Sequence, residues 1–243
     1  MKSIGTYAFS GVTAVALVAL GTSASAQVET VSIPTVKCPL QTMTGAESVK
    51  APATVSARVS KPYAGQISYY TVGYVGAFGP RGWHCSGQAG SSGIVLLAGP
   101  NKAPTLVNPG QIALQAALYS GDTSGRFSVL ETGAPLFANL RALVKKVTAT
   151  FGQPIQHSQP IPGQKVTPVS ANVASFVDPP KVQGAAAASG GGYTAWGVAT
   201  ELWPKSGAGS DPVIPDLRVF SIAVPASQSG LAQTLVALNG GSP

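Results

Sequence analysis

The sequence predicts an α+β fold, a single compact domain on an antiparallel or mixed sheet with about two helices. Three observations predict it. Most apolar runs are short, rich in Val, Ile and Tyr, and bounded by Gly or Pro, as strands are. Only residues 135–151 and 227–238 read as helices. No internal repeat divides the chain, and 243 residues suffice for one substantial core.

Residues 1–26 read as a signal peptide. Lys2 supplies the positive start, residues 9–20 are apolar, and Ala24-Ser25-Ala26 fits a small-x-small cleavage site. That apolar run is short for a membrane span, and no later one is long enough. The mature chain is therefore expected not to span a membrane and to work in the periplasm or the medium. Residues 27–53 read as an N-terminal arm, because Pro34, Pro39 and Pro52 block long regular elements. Residues 54–243 form the α+β domain.

Within that domain, residues 54–60 alternate apolar and polar side chains and predict a strand. Residues 67–76, rich in Tyr and Val, predict another, closed by a turn at residues 79–82. Residues 94–98 predict a short buried strand ended by Gly99-Pro100. Residues 111–119 fit strand or helix, and residues 126–130 fit a strand or the lead into a helix. Residues 135–151 form the best helix. Leu136, Leu140, Leu143, Val144 and Val147 share one face, Arg141, Lys145 and Lys146 stay wet, and Gly152 and Pro154 end it. The Pro-rich residues 153–168 predict an extended crossing loop. Strands are expected at 173–177, 193–203 and 217–224, with a small-residue loop at 185–192. A final helix over 227–238 has Ser227 as its candidate N-cap and Gly240 as its stop.

Charge narrows the function. Charged residues make up 9% of the chain, against about a quarter in ordinary domains. The net charge of +7 comes from scarce acids, and Lys145-Lys146 is the only adjacent basic pair. That pattern suits an exported surface and not a nucleic-acid binder. In an oxidising compartment the two cysteines, Cys38 and Cys85, are expected to form a disulfide fastening the arm to the body. Their wide separation, without a CxxC pair and with two histidines in the whole chain, is no metal signature.

The densest segment is Gly79-Pro80-Arg81-Gly82-Trp83-His84-Cys85. As a site, His84 would act as general base, with Asp122 or Glu131 as carboxylate partner and Arg81 binding an anion. As a structural corner, the alternation of an extended segment turns Trp83 and Cys85 inward and His84 outward. Asp122 also precedes Arg126 by the four positions of a local ion pair. His157 falls in the Pro-rich loop. Tyr63, Tyr69, Tyr70, Tyr74, Trp196 and Trp203 offer aromatic faces for sugar or peptide stacking, or for core packing. No nucleotide, metalloprotease or serine-hydrolase motif is present, and nothing asks for a cofactor.

Pro80-Arg81-Gly82-Trp83-His84-Cys85, the tail Gly90-Ser91-Ser92-Gly93 and Thr123-Ser124-Gly125-Arg126-Phe127 resemble a family of uncharacterised exported bacterial proteins. The Pro-Arg-Gly-Trp-x-Cys core carries the resemblance. It implies export and one compact domain, and it supplies no catalytic residues. Members often carry a second cysteine pair near the C-terminal strand and helix, which this chain lacks. The reading of the whole is an exported, non-catalytic protein that binds an envelope component or another protein, with Arg81 and His84 as binding candidates. The alternative is a hydrolase or transferase acting on cell-wall or extracellular material through His84 and a carboxylate such as Asp122.

Overall fold

The longest strand lies where prolines were expected to prevent one. The computed structural model describes residues 27–106, 112–122, 125–182, 192–204 and 212–240. In it Val28–Lys37 forms β1, ten residues long. Its first part pairs antiparallel with β4 (Thr54–Ser60), from Val28↔Ser60 to Pro34↔Thr54. From Thr35 onward it pairs parallel with β5 (Ile67–Thr71). Pro34, which has no N–H to donate, stands at the seam where one ladder ends and the other begins. The arm is therefore a sheet member.

The expected strand over residues 67–76 is instead a hairpin. β5 stops at Thr71, and β6 (Gly76–Pro80) returns antiparallel to it. The Thr71 hydroxyl accepts from the Gly73 N–H at 3.0 Å and donates to the Val75 carbonyl at 3.1 Å. These strands form a four-stranded sheet in the order β4-β1-β5-β6.

The chain crosses from this sheet into a larger one at two places. After β1 it passes through Cys38 and Pro39 into β2 (Leu40–Thr42), which hairpins with β3 (Gly45–Glu47). After β6 it passes through Arg81–Trp83 into β7 (His84–Gly90), which hairpins with β8 (Gly93–Gly99). β2 and β7 lie side by side in parallel, Leu40 opposite Gly87. The remaining strands are β9 (Leu114–Tyr119), β10 (Lys165–Ser170), β11 (Val173–Asp178), β12 (Ala195–Leu202) and β13 (Asp216–Ala223). The larger sheet has nine strands in the order β10-β11-β12-β13-β9-β8-β7-β2-β3. Both sheets are antiparallel except at β1–β5 and β2–β7.

The disulfide Cys38–Cys85 ties the two crossings together, with its Cα atoms 5.3 Å apart. It closes a loop of sequence separation 47, for which loop-closure entropy gives about 4 kcal/mol. Gly87 leaves room where β2 and β7 meet: a Cβ there would meet Leu40 at 3.2 Å and Val72, just past β5, at 2.3 Å.

Helices cover both faces of the large sheet. α1 (Gly125–Gly133) and α2 (Ala138–Phe151) lie on one face, and α3 (Ser229–Gly240) shares the other with the small sheet. Residues 126–130 are thus helical. Strand alternation splits the core. Leu217 and Val219 of β13 pack with Leu130, Leu140 and Val147, while Phe220 and Ile222 pack with Tyr70, Leu96, Leu231 and Leu235. α2 ends at Gly152 with φ 67°, its N–H bonded to the Thr148 carbonyl. α3 starts two residues after Ser227, which lies in the 3₁₀ turn Ala226–Gln228 and not at an N-cap. Its Asn239 amide pairs with the Phe78 backbone of edge strand β6, accepting at 2.9 Å and donating at 3.0 Å. The Pro-rich segment runs into edge strand β10, where Pro168 borders a register shift. The expected signal peptide and most of the 185–192 loop lie outside the described residues.

Candidate functional site

Most of the rare residues of the 79–85 segment have a definable task. Tyr70, fully buried in β5, aims its hydroxyl at the corner. It donates to the Pro80 carbonyl at 2.5 Å and accepts the Trp83 N–H at 3.0 Å. Burial raises the pKa of this phenol, and the Trp83 N–H partly offsets the rise. Gly82 turns the chain at φ 83°, a conformation that costs any side chain. The Arg81 N–H donates to the Gln66 carbonyl at 2.7 Å. Cys85 is buried in the disulfide, Trp83 is half-buried against the same core, and His84 is exposed. The inward–outward alternation read from the sequence holds.

What remains for recognition is the Arg81 side chain. It is exposed, and no residue among those described pairs with its guanidinium. It borders a cleft of about 520 Å³ lined also by Tyr63, Gln66, Trp83, Ser227 and Gln228. Tyr63 and Gln66 come from the 3₁₀ turn Lys61–Gln66, and Ser227 and Gln228 from the turn before α3. Two turns and the disulfide corner therefore place a cation, two aromatic rings, two amides and a hydroxyl around one opening. A guanidinium takes carboxylate or phosphate, aromatic rings take sugar faces, and amides take hydroxyls.

His84 does not join this cleft, and the acids do not join His84. His84 pairs with Gly99 at one end of β8. Asp122 follows Ser120, whose N–H bonds the Ser92 carbonyl beyond the other end of β8. The rise of a strand puts those ends roughly 20 Å apart. Asp122 instead accepts from the Ser120 hydroxyl. Arg126 sits 4.3 Å from the centroid of the Phe151 ring. Glu131 lies in α1 near Gly133, which packs against Leu217 opposite Tyr119, again at the far end of the sheet. Glu131 does share a second cleft, of about 630 Å³, with His157 and Ser158. His157 holds φ 54° there. Among the described residues, no three His, Cys, Asp or Glu side chains gather as a metal would require.

Sequence reasoning missed two features. Glu201 is buried in β12, and its carboxylate accepts from Asn139 at 2.8 and 3.0 Å and from the Trp203 indole at 3.1 Å. Glu201 and Trp203, two residues apart in an extended segment, share a face and could have been paired by eye; Asn139 comes from α2. The second is an apolar groove of about 520 Å³ between β11, β12 and α3. Its walls are mostly Val and Ala, with Trp196, from distant segments, which leave no local signature. Among the described residues, no helix is long and apolar enough to cross a membrane. Set against known protein families, curated proteins and solved structures, the chain matches none of them.

Proposed function

We propose that this is an exported, periplasmic or secreted, non-catalytic binding protein that takes an anionic, hydroxyl-rich component of the cell envelope in the Arg81 cleft. One observation carries the reading: the unpaired Arg81 guanidinium faces the same opening as Tyr63, Trp83, Gln66 and Gln228. An acidic sugar matches each group, its carboxylate on Arg81, a ring face on Tyr63 or Trp83, and its hydroxyls on the amides. The disulfide supports an oxidising compartment.

Calorimetric titration with short uronic-acid oligosaccharides tests the site. Saturable binding is expected, lost in Arg81→Ala and partly kept in Arg81→Lys, since lysine keeps the charge but not the planar fork. Equal binding by Arg81→Ala refutes the site. Export has its own test: the protein recovered outside the cytoplasm should begin at Gln27, and a chain retaining residues 1–26 inside the cell contradicts it.

A further inference from the structure

The groove beside α3 has a chemistry unlike that of the Arg81 cleft. Val173, Trp196 and Val198 form its floor, Val236 and Ala237 one wall, and exposed Val169 its rim. Its polar side chains are Ser175 and Gln233. The Ser175 hydroxyl already donates to the Thr167 carbonyl at 3.3 Å. β11 and β12 are interior strands, flanked by β10 and β13, so their backbone N–H and C=O groups are committed to the ladder. Over β11 and β12 a peptide would find no main-chain partners, and its amides lying there would be stripped of water without compensation. The occupant that suits the groove has no hydrogen-bonding demand along its length, as a hydrocarbon chain has none. The volume of about 520 Å³ is that of a small-molecule site.

Gln233 and Ala237 stand exposed on the crest of α3, and both also line a cleft of about 430 Å³ on the helix's other flank. There Arg58 is the one charged side chain among the described residues lining either opening, and no described residue pairs with it. We propose that the groove binds the hydrocarbon chain of a single-chain carboxylate amphiphile, whose head group crosses the α3 crest at Gln233 to meet Arg58. This site is separate from the Arg81 cleft and stands or falls without it.

The test is a titration of the mature protein with monomeric palmitate, read by tryptophan fluorescence, with Trp196→Phe assigning the signal to the groove. Saturable binding is expected. Ala237→Trp, which fills the groove from an exposed position, should weaken it by about tenfold or more, as should Gln233→Trp. Circular dichroism confirms that both variants are folded. Arg58→Ala should weaken palmitate but leave hexadecanol unchanged. Absent saturation, or wild-type affinity in both filled variants, overturns the site. Equal palmitate binding by Arg58→Ala overturns the head-group assignment. Capture by anionic phospholipid vesicles without binding of monomeric palmitate overturns the groove in favour of a membrane-facing surface.

Discussion

The corner at Cys38 and Cys85 and the flanks of α3 are built on opposite principles. The corner packs rare residue types into a few adjacent positions, and nearly all of them hold backbone. Gly82 makes the turn, Trp83 gives its N–H to Tyr70, and Cys85 closes the disulfide. The flanks of α3 use mostly common residues from segments far apart in sequence, and there the molecule has ligand-sized space. Density of unusual residues therefore marks where the chain needs a particular geometry. Arg81 and Trp83 link the regions, since their backbones belong to the corner and their side chains line a cleft.

The double variant Cys38→Ala/Cys85→Ala should lose about 4 kcal/mol of stability by denaturant unfolding. A much smaller loss would mean that β2–β7 pairing alone holds the two crossings. Away from the corner, Asn139→Ala strips two hydrogen bonds from the buried Glu201 carboxylate, at about 2–3 kcal/mol for a charged acceptor. If that cost exceeded the disulfide's, the corner would not be the structural centre. Tyr70→Phe leaves the Pro80 carbonyl and the Trp83 N–H without their partner and should cost about 1–3 kcal/mol. The cost should shrink at alkaline pH. The folded pKa of Tyr70 lies above its ordinary value of 10.0. Its contribution is therefore full below that value and lost as pH rises through the raised one. A cost that stays constant through this range would separate the phenol from the corner's stability. Gly82→Ala should cost about 1–2 kcal/mol for the left-handed backbone, without a clash, since nothing lies within 4 Å of its Cβ position.

Much of the fold was legible because local signals agreed with tertiary ones. Residues 54–60 and 173–177 alternate as half-buried strands must, and α2 carries its apolar stripe, with Leu140 and Val147 buried and Gly152 as its cap. The cysteine pairing was legible from the count and from the expected oxidising compartment. β1 was not, because Pro34 reads as a breaker unless one knows that two ladders meet there. The β5–β6 hairpin was not, because its turn lies inside a continuous Tyr/Val-rich run. Of the Arg81 cleft, Arg81 and Trp83 stood out as rare neighbours. Gln66 and Gln228 did not, since only the fold brings the turns at residues 61–66 and 226–228 to the same opening. His84 and Asp122 do not meet for a geometric reason: β8 separates them by its full length.

The smallest expected effect on stability belongs to Arg81, and it tests the central division most directly. The measurement is denaturant unfolding and uronic-acid binding on the same Arg81→Ala protein. Stability should stay within about 0.5 kcal/mol of wild type, as for an exposed side chain, while binding is lost. Unfolding that tracks the loss, or binding that survives it, would contradict the separation of a structural corner from the side chain it presents.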